Sequence, residues 1–507
     1  MEWIKNKRIV ATLLILIAVI LVATVQIAGQ SKKTALVETK TAAAAATGTQ
    51  LSIPVTSPRQ TENRMKPTRP QPGMTSSPAT ALTGTTTSVT PATATYYVST
   101  TGNDANPGTL NAPWRTIGKA SRTAGPGAIV YVRGGVYREQ VSLSNSGSAT
   151  APIKFLAYSG ETPVVDASSI SMSNWSALFS ISGNYVTASG FEVRNSQYIG
   201  VIIKGQHDVV DNFYAHHNQQ NGILIAGDYG TVQNSRVWRN ALSNEYGKAG
   251  SWASGLSAAR DVADGITDNA VIRNNTVWEN WGEGLSSYEA RGTLIQGNVS
   301  HDNYTANIYI SDSTGVVCKG NLVYMTPGDY VTGSNVGIML GDERYTPASA
   351  NIQVINNIAY GNKRNFYWWQ GTKGGGMNNV LIANNSFVNS IATTNVQINK
   401  GPHQGVVFTN NIIEQDSSLS PILLGTTSGI SFSKNLWSKT PSSGAMGASS
   451  LIGDPKFSKS GTPYSGSWFR LLDGSPAINM ASVLNQVTSD FFNALRGALP
   501  DAGATEK

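Results

Sequence analysis

Cysteine, histidine and charge are scarce in this 507-residue chain, and each shortage excludes a class of protein. The single cysteine, Cys318, cannot form an internal disulfide, so we interpret its side chain as a small core residue. Of the five histidines, no two are spaced as a pair of metal ligands, and no serine or cysteine lies in a nucleophile motif. The sequence therefore predicts neither a histidine-ligated metal centre nor a serine or cysteine hydrolase.

The positive net charge is confined to the N-terminal arm. Residues 1–94 hold ten Lys or Arg and three Glu, so of the 37 basic and 30 acidic residues in the chain, 27 of each remain in 95–507. A nucleic-acid-binding domain carries a basic stripe on the domain itself. The near-neutral balance predicts that the folded part does not bind nucleic acid.

Residues 1–30 are predicted to be a membrane anchor. Three basic residues precede twenty uncharged ones, Ile9 to Ala28, a length that fits a bilayer-spanning helix with its positive end in the cytoplasm. Gln26 interrupts a small-x-small cleavage pattern, which favours an uncleaved signal anchor over a cleaved signal peptide. In either case the rest of the chain is expected to be exported.

Residues 31–94 are predicted to be a disordered stalk. The segment is rich in Thr, Ala, Ser and Pro and has almost no large apolar residues, so it cannot bury enough surface to offset its ordering entropy.

From about Val201 to Leu424 the chain repeats one unit: a short apolar strand, one or two Asn, an apolar-aromatic dipeptide, another Asn, and Gly or Asn before a further strand. Four copies in register are DVVDNFYAHHNQQNGILIAG (208–227), VIRNNTVWENWGEGLSSYEA (271–290), LIQGNVSHDNYTANIYISDS (294–313) and IQVINNIAYGNKRNFYWWQG (352–371). Asn275, Asn298 and Asn321 follow at intervals of 23 residues. A repeat of this length, without a helical pattern or a fixed Leu framework, predicts a parallel β-helix.

The Asn column of this repeat is interpreted as structural. A bend repeated in every coil needs backbone near the left-handed region, which Asn tolerates, and stacked Asn side chains can hydrogen-bond along the column. The residues assigned to the column are Asn275, Asn298, Asn321, Asn357, Asn385 and Asn411.

Both ends of the folded part resemble a known group. YYVSTTGNDANPGTLNAPWRTIGKA, with VRGGVYREQV and API after it, resembles the N-terminal cap of exported right-handed parallel β-helix proteins of the pectate-lyase-like superfamily, and GDPKF with RLLDGSPAIN (453–479) resembles its closing segment. Within the cap, Ile117, Ala120 and Ala124 fall on one helical face. The resemblance implies an all-β, right-handed parallel β-helix solenoid with an N-terminal capping helix. The expected parts are the cap and first coils at 95–180, the repeats at 181–440 and a closing segment at 441–507.

One strand of the repeat offers a candidate binding face. Its inward residues align as Ile223, Leu256, Leu285, Ile308, Ile338, Phe366, Val396 and Ile422. Asn or Gly just before them, as at Asn307, Asn365 and Asn395, predicts a turn and a shallow floor. Outward rows contain Tyr288, Tyr309, Tyr367 and Trp369, whose faces suit stacking of sugar rings. Aromatic stacking along the solenoid is the alternative interpretation.

An acidic column lies four residues after the inward position, in the series Arg260, Glu289, Asp312, Asp342, Gln370 and Lys400. Three carboxylates on consecutive coils repel one another unless one is protonated, a cation binds or the side chains spread into water. Glu289, Asp312 and Asp342 are therefore candidate calcium ligands, with a solvated loop edge as the alternative.

Insertions flank the same strand and predict the walls of a cleft. They lie at 241–253, 261–269, 325–335 and 342–351. The catalytic candidates are Glu289, Asp312, Asp342, Glu283 and Glu343. The substrate-binding candidates are Tyr288, Tyr309, Tyr367, Trp369, Trp281, Trp252, Arg260, Arg344 and Lys400.

Two functions are compatible with the sequence. The first is an exported, cell-surface enzyme that cleaves polysaccharide, as a hydrolase with paired carboxylates or as a lyase with a cation and a Lys or Arg base. Calcium-dependent pectate lyases of the resembling group carry an Asp-Asp-Gly-x-Asp cluster, for which this chain reads WGEGLSS and YTANIYI. Arg260, Arg344 and Lys400 remain as substitutes. The second is a non-catalytic glycan-binding or structural surface protein, and in both cases a monomer is expected.

Overall fold

The computed structural model describes residues 94–248, 252–260, 264–328, 333–343, 349–371 and 374–507. The predicted anchor and, apart from Ala94, the predicted stalk lie outside these residues, as does Arg344. Within the described ranges, no helix is both long and apolar enough to cross a bilayer.

The described residues after Ala94 form a parallel β-helix, in which each coil runs through three short strands and every strand pairs in parallel with its counterpart on the next coil. The first sheet contains β1 (Thr95–Val98), β2 (Ile129–Val132), β5 (Ile153–Ala157), β8 (Val186–Ser189), β11 (Val209–Asp211), β14 (Thr231–Gln233), β18 (Val271–Arg273), β22 (Leu294–Gln296), β25 (Val317–Lys319), β28 (Ala350–Ile355), β31 (Asn378–Ala383), β34 (Val406–Thr409) and β37 (Ile430–Ser433).

The second sheet follows the first along each coil. It contains β3 (Gly135–Tyr137), β6 (Pro163–Asp166), β9 (Glu192–Arg194), β12 (Tyr214–His216), β15 (Arg236–Trp238), β19 (Thr276–Trp278), β23 (Val299–His301), β26 (Leu322–Tyr324), β29 (Ile358–Tyr360), β32 (Ser386–Val388), β35 (Ile412–Glu414), β38 (Leu436–Trp437) and β39 (Leu451–Ile452).

The third sheet completes the coil. It is formed by the strand of the repeat for which the sequence predicts the binding face. It contains β4 (Val141–Leu143), β7 (Ala177–Ile181), β10 (Ile199–Ile203), β13 (Ile223–Ile225), β16 (Leu256–Ala259), β20 (Leu285–Tyr288), β24 (Ala306–Ser311), β27 (Val336–Asp342), β30 (Arg364–Gln370), β33 (Thr394–Ile398) and β36 (Ser420–Leu424). A separate two-stranded pair is formed by β17 (Thr267–Asp268) and β21 (Ala290–Arg291).

Helix is scarce among the described residues. The α-helix α1 spans Ile117–Thr123, begins after the N-cap Thr116 and contacts β1 and β4. Ile117 and Ala120 are fully buried on its inner face, as is the C-cap Ala124, which matches the predicted helical face. Two 3₁₀ helices span Leu242–Gly247 and Gly466–Phe469.

The register of the third sheet confirms the predicted alignment. All eight inward residues from Ile223 to Ile422 pair coil to coil, and each is fully buried. Apolar side chains from the three sheets meet inside the coil as one continuous core. Because side chains alternate along a strand, the residue after each inward one faces outward on the third sheet.

The predicted Asn column is a buried hydrogen-bond ladder. Each side-chain oxygen accepts from the backbone N–H and the side-chain amide of the Asn one coil before, and the ladder runs through Asn275, Asn298, Asn321, Asn357, Asn385, Asn411 and Asn435. The expected left-handed backbone belongs to the residue before each column member, as at Asn274 and Gly297. The column residues themselves supply side-chain hydrogen bonds, and their neighbours supply the bend.

A second Asn ladder, which the sequence analysis missed, lies between the second and third sheets. It runs through Asn218, Asn240, Asn280, Asn303, Asn307, Asn362, Asn365 and Asn395. Asn307, Asn365 and Asn395 were predicted to leave a shallow floor, but their side chains are fully buried in this ladder. They hold the coil together and are closed to a ligand.

Aromatic rings stack along the outer face of the second sheet. His216, Trp238, Trp278, His301 and Tyr324 follow one another at centroid distances of 4.2 to 6.0 Å. Their flat faces are occupied by one another, so this stack stabilises the coil. The closing segment packs beside it, where Phe457, Phe469 and Leu471 cover outward residues of the second sheet such as Ile358 and Ile412.

Candidate functional site

Three polar side chains meet on the outer face of the third sheet. Glu283 lies in the turn before β20, Tyr309 points outward from β24 and Glu343 follows β27, so they belong to three consecutive coils. Neighbouring strands are about 4.8 Å apart, which brings side chains of successive coils within reach of one another. We call Glu283, Tyr309 and Glu343 the carboxyl site.

Tyr309 donates a hydrogen bond to Glu343. The distance from its hydroxyl to Glu343 Oε1 is 2.6 Å, and the Tyr309 side chain is only 5 % exposed. Burial and the neighbouring Glu343 carboxylate both raise the pKa of Tyr309, because each disfavours the phenolate. Tyr309 therefore keeps its proton and acts as a donor that orients Glu343.

Gly341 makes this contact sterically feasible. A Cβ placed on Gly341 would lie 2.5 Å from the Tyr309 hydroxyl and 2.9 Å from the ring carbon Cε2. The ring of Tyr309 crosses the next coil at Gly341, where no side chain is in its way, and its hydroxyl reaches Glu343.

Replacing Gly341 with Ala is therefore expected to displace Tyr309 and break its bond to Glu343. If the carboxyl site cleaves glycan, as proposed below, turnover should fall by at least tenfold with little change in stability, since a misplacement near 1 Å costs about 100-fold in well-oriented sites. Steady-state kinetics and thermal unfolding of Gly341→Ala measure both quantities. Wild-type kinetics in a folded Gly341→Ala variant would contradict the role assigned to Tyr309.

Glu283 differs from Glu343 in its surroundings. Burial, together with the nearby Glu343 carboxylate, raises the pKa of Glu283 to about 7, although a hydrogen bond from Ser254 opposes the shift. Ser254 donates at 3.3 Å to Glu283, and its Oγ lies 2.8 Å from the Oγ of Ser286, which donates to Ser257. Near neutral pH the carboxyl site thus holds one carboxyl that is partly protonated beside another that accepts a bond from tyrosine.

The predicted acidic column is not a set of three neighbouring free carboxylates. The Glu289 side chain forms an ion pair with Arg260, with 2.5 Å between Arg260 Nε and Glu289 Oε2. The guanidinium of Arg260 also lies 5.2 Å over the ring of Tyr288 and donates to its hydroxyl. This arrangement covers one face of Tyr288, and the sugar-stacking and catalytic roles of these residues stay predictions.

Asp312 and Asp342 form a buried carboxyl pair. Asp312 accepts the backbone N–H of Glu343 and the hydroxyl of Ser311. Asp342 is fully buried, and its carboxyl lies against that of Asp312. Burial first, and the Asp312 carboxyl second, raise the pKa of Asp342 to about 7. The pair lies behind Glu343 and supports its backbone.

We predict that Asp342→Asn stabilises the protein at pH 8. A carboxyl whose folded-state pKa lies above its unfolded value favours folding only when protonated, so Asp342 costs stability increasingly as pH rises from about 4 to 7. Its removal should recover about 2 to 4 kcal/mol at pH 8 and almost nothing at pH 4. Urea unfolding at both pH values measures this, with the exposed Asp416→Asn as control. Equal stability of Asp342→Asn and wild type at pH 8 would contradict the prediction.

Calcium can be tested in the same measurement. Among the described residues, no group of three or more His, Cys, Asp or Glu side chains is arranged to hold a metal ion. The calcium hypothesis for Glu289, Asp312 and Asp342 therefore gains no support and stays a prediction. A calcium-dependent rise in stability of the wild type that is absent from Asp342→Asn would confirm it.

The remaining aromatic candidates divide into buried and accessible residues. Tyr309 is buried, and Trp281 is 2 % exposed, so neither offers a free ring face. Tyr367 and Trp369 are half-buried on β30 and pack beside Met339. Arg364 lies 5.0 Å over the ring of Tyr367.

Trp252 is 60 % exposed, at the rim of the third sheet just before β16. Lys400 is also exposed, directly after Asn399 at the end of β33.

Fold and site together define a parallel β-helix with a carboxyl site on the outer face of one sheet. A family model described as the Pel9A-like right-handed β-helix region matches residues 96–395. This span exceeds half of the chain, and the chain belongs to that family. Its handedness is therefore the right-handed one that the sequence resemblance implied.

Solved structures show the same fold. The structure of pectate lyase Pel9A is similar with a TM-score of 0.52 at 23 % identity, covering 82 % of this chain and 97 % of Pel9A. A rhamnogalacturonan lyase has a TM-score of 0.50 at 19 % identity, covering 68 % of this chain and 87 % of its own. At these identities the likeness concerns the fold alone.

Curated relatives match a short segment. Pectate lyase PEL9 of Emericella nidulans is 39 % identical over 72 residues, which is 14 % of this chain and 18 % of PEL9. YwoF of Bacillus subtilis is 39 % identical over 74 residues, 15 % of this chain and 16 % of YwoF. The matched segments span less than a fifth of either relative.

Proposed function

We propose that this protein cleaves polysaccharide in a groove on the outer face of the third sheet, with the carboxyl site as its reaction centre. The observation that carries the proposal is the pairing of Glu283, whose pKa burial raises to about 7, with Glu343, which accepts from Tyr309. A carboxyl that keeps its proton near neutral pH, with a second carboxyl nearby, is what acid–base cleavage of a glycosidic bond requires. Membership of the Pel9A-like family and the similarity to pectate lyase PEL9 support a glycan substrate.

In the proposed reaction, protonated Glu283 donates its proton to the glycosidic oxygen as the bond to the anomeric carbon breaks. Glu343 then acts in one of two ways. As a base it takes a proton from the water that attacks the anomeric carbon; as a nucleophile it attacks the anomeric carbon itself, and water then hydrolyses the covalent intermediate. One water is consumed for each bond cleaved. The hydrogen bond from Tyr309 orients Glu343 towards the substrate, and the hydrogen bond from Ser254 positions the carboxyl of Glu283.

Hydrolysis is favoured over elimination by the groups present. Elimination requires that a uronate carboxylate be neutralised and its neighbouring proton be removed by a base such as Lys or Arg. In the part of the chain that the structure describes, the side chains of Glu283 and Glu343 accept hydrogen bonds from Ser254 and Tyr309, and neither of these bonds comes from Lys or Arg. Where calcium-dependent pectate lyases carry their acidic cluster, this chain reads WGEGLSS, and its Ser286 is hydrogen-bonded to Ser254 and Ser257.

A polysaccharide panel tests the proposal. The purified full chain is incubated with polygalacturonate, rhamnogalacturonan, xylan and a neutral β-glucan, and both reducing ends and the absorbance of unsaturated ends are followed. New reducing ends without unsaturated ends are expected for at least one substrate. Binding without any cleavage would instead favour a non-catalytic glycan-binding protein.

We further propose that the chain is exported, held at the cell surface by its N-terminal segment, and monomeric. The twenty uncharged residues after Arg8 and the Thr-rich segment that follows support an anchor and a stalk. Fractionation of cells that make the full chain should place it in the membrane fraction with its C-terminal part accessible to external protease. Recovery in the cytosol would contradict the proposal.

A further inference from the structure

An aromatic wall stands beside the carboxyl site. It consists of Tyr246, Trp252, Trp281 and Tyr304. Trp281 is its buried base, packed against Ala241 and Ala253 and 5.7 Å from Tyr304 between ring centroids. Tyr246 lies 4.8 Å from Trp281, and Trp252 lies 6.2 Å from Tyr304.

The base of the wall is fixed to the coil. The 3₁₀ helix Leu242–Gly247 inserts between β15 and β16, and the backbone N–H groups of Leu242 and Ser243 donate to the preceding coil. Asn244 is fully buried and donates at 2.5 Å to the carbonyl of Trp281. These bonds hold the 3₁₀ helix, and with it Tyr246, in a set position against the coil.

The tips of the wall are exposed, against the usual preference of large aromatic residues. Tyr246 is 69 % exposed and Trp252 is 60 % exposed. The backbone of Tyr246 lies in the left-handed region at a φ of 58°, a conformation that is unfavourable for a bulky residue. Exposed rings on an anchored base, held partly against local preference, are typical of a ligand-binding surface.

The wall is continuous with the carboxyl site. Ser254 donates a hydrogen bond to Glu283. Trp252 lies two residues before Ser254, and Trp281 lies two residues before Glu283. Trp281 therefore shares the turn that carries Glu283, and Trp252 lies one coil, about 4.8 Å, before it. The half-buried Tyr367 and Trp369 lie on the other side of the carboxyl site, two coils beyond Tyr309.

We propose that Trp252, packed beside Tyr304, is a sugar-stacking subsite that binds a glycan chain one to two residues from the bond cleaved at the carboxyl site. The proposal rests on the proposed function and extends it. The apolar face of a sugar ring covers the exposed indole, whose polar edge stays in contact with water. A chain that lies along the solenoid axis then spans the wall, the carboxyl site and Tyr367, so the preferred ligand is a polymer rather than a single sugar.

Binding of a polymer by an inactive chain tests the subsite. The full chain carrying Glu283→Gln is run in affinity gels containing polygalacturonate, rhamnogalacturonan, xylan or neutral β-glucan, with and without Trp252→Ala. We expect Trp252→Ala to weaken retention in the bound polysaccharide about tenfold, and Trp252→Phe to restore most of it. Trp278→Ala, which removes the same side chain from the stack on the second sheet, is the matched control and should bind normally.

The outcomes separate the two proposals. If retention in the gel depends on Trp252 but the wild type cleaves none of the polysaccharides, the subsite is supported and the proposed reaction is overturned. Cleavage by the wild type with equal retention of Trp252→Ala and its parent overturns the subsite and leaves the reaction intact. A loss in Trp252→Ala that Trp252→Phe fails to restore, or an equal loss in Trp278→Ala, also overturns the subsite.

Discussion

Glu283→Gln is expected to lower kcat for glycan cleavage by about 100- to 10,000-fold, the usual contribution of a general acid. The amide keeps the shape of the side chain and its bond from Ser254 but has no proton to donate. Because burial raises the pKa of Glu283 to about 7, wild-type kcat should fall as pH rises through about 7, where the acid form is lost. Kinetics from pH 5 to 9 on wild type and variant measure both effects.

The matched control is Glu279→Gln, four residues earlier. Glu279 forms an ion pair with Arg239 and directly follows β19, a strand of the second sheet. Its replacement should leave kcat and the pH profile unchanged. If Glu283→Gln retained the activity and the alkaline limb of the wild type, Glu283 would not be the acid.

Asn298→Ala is expected to cost about 3 to 5 kcal/mol of unfolding free energy, a loss typical of broken buried hydrogen-bond networks. The Asn298 oxygen accepts from Asn275 N–H and Nδ2, and its amide donates to the carbonyl of Ile272 and to Asn321. Alanine would leave buried polar groups of two coils unpaired, and the site is too enclosed for water to replace them.

Gln296→Ala provides the comparison for this substitution. Gln296 lies two residues earlier on β22 with a half-buried outward side chain, and its loss should cost less than about 1 kcal/mol. Urea unfolding of both variants measures the difference. Similar losses in the two variants would mean that the Asn ladder contributes little beyond ordinary packing.

The spacing of residues was sufficient to predict the coil. Asn275, Asn298 and Asn321 recur because each side chain must meet the next along the ladder, so the interval of 23 residues reports a physical contact. The register of the third sheet followed from the same logic, since a one-residue slip would turn every buried side chain outward. What spacing could not assign was backbone conformation, and the left-handed residue lies one position before each ladder Asn.

The site was harder to predict, because a shared position along the coil does not fix the direction of a side chain. The sequence predicts a shared role for Glu289, Asp312 and Asp342, which stays a prediction. In the structure Glu289 is ion-paired with Arg260, and Asp342 is fully buried. Glu283 and Glu343 were named as candidates from their loops, without a partner.

Tyr309 was named only as a sugar-stacking residue, and its bond to Glu343 depends on the empty space above Gly341. A glycine on the outer face of one strand, with a tyrosine on the strand of the preceding coil, is the sequence signal that could have suggested this contact.

Product analysis tests the central claim most directly, that paired carboxyls on the third sheet hydrolyse a glycan. The cleaved polysaccharide is separated, and the ends are identified by mass spectrometry in water enriched in oxygen-18. Hydrolysis predicts saturated products with one labelled oxygen for each bond cleaved, and their loss in Glu283→Gln and Glu343→Gln. Unsaturated uronate ends without label would show elimination and contradict the account.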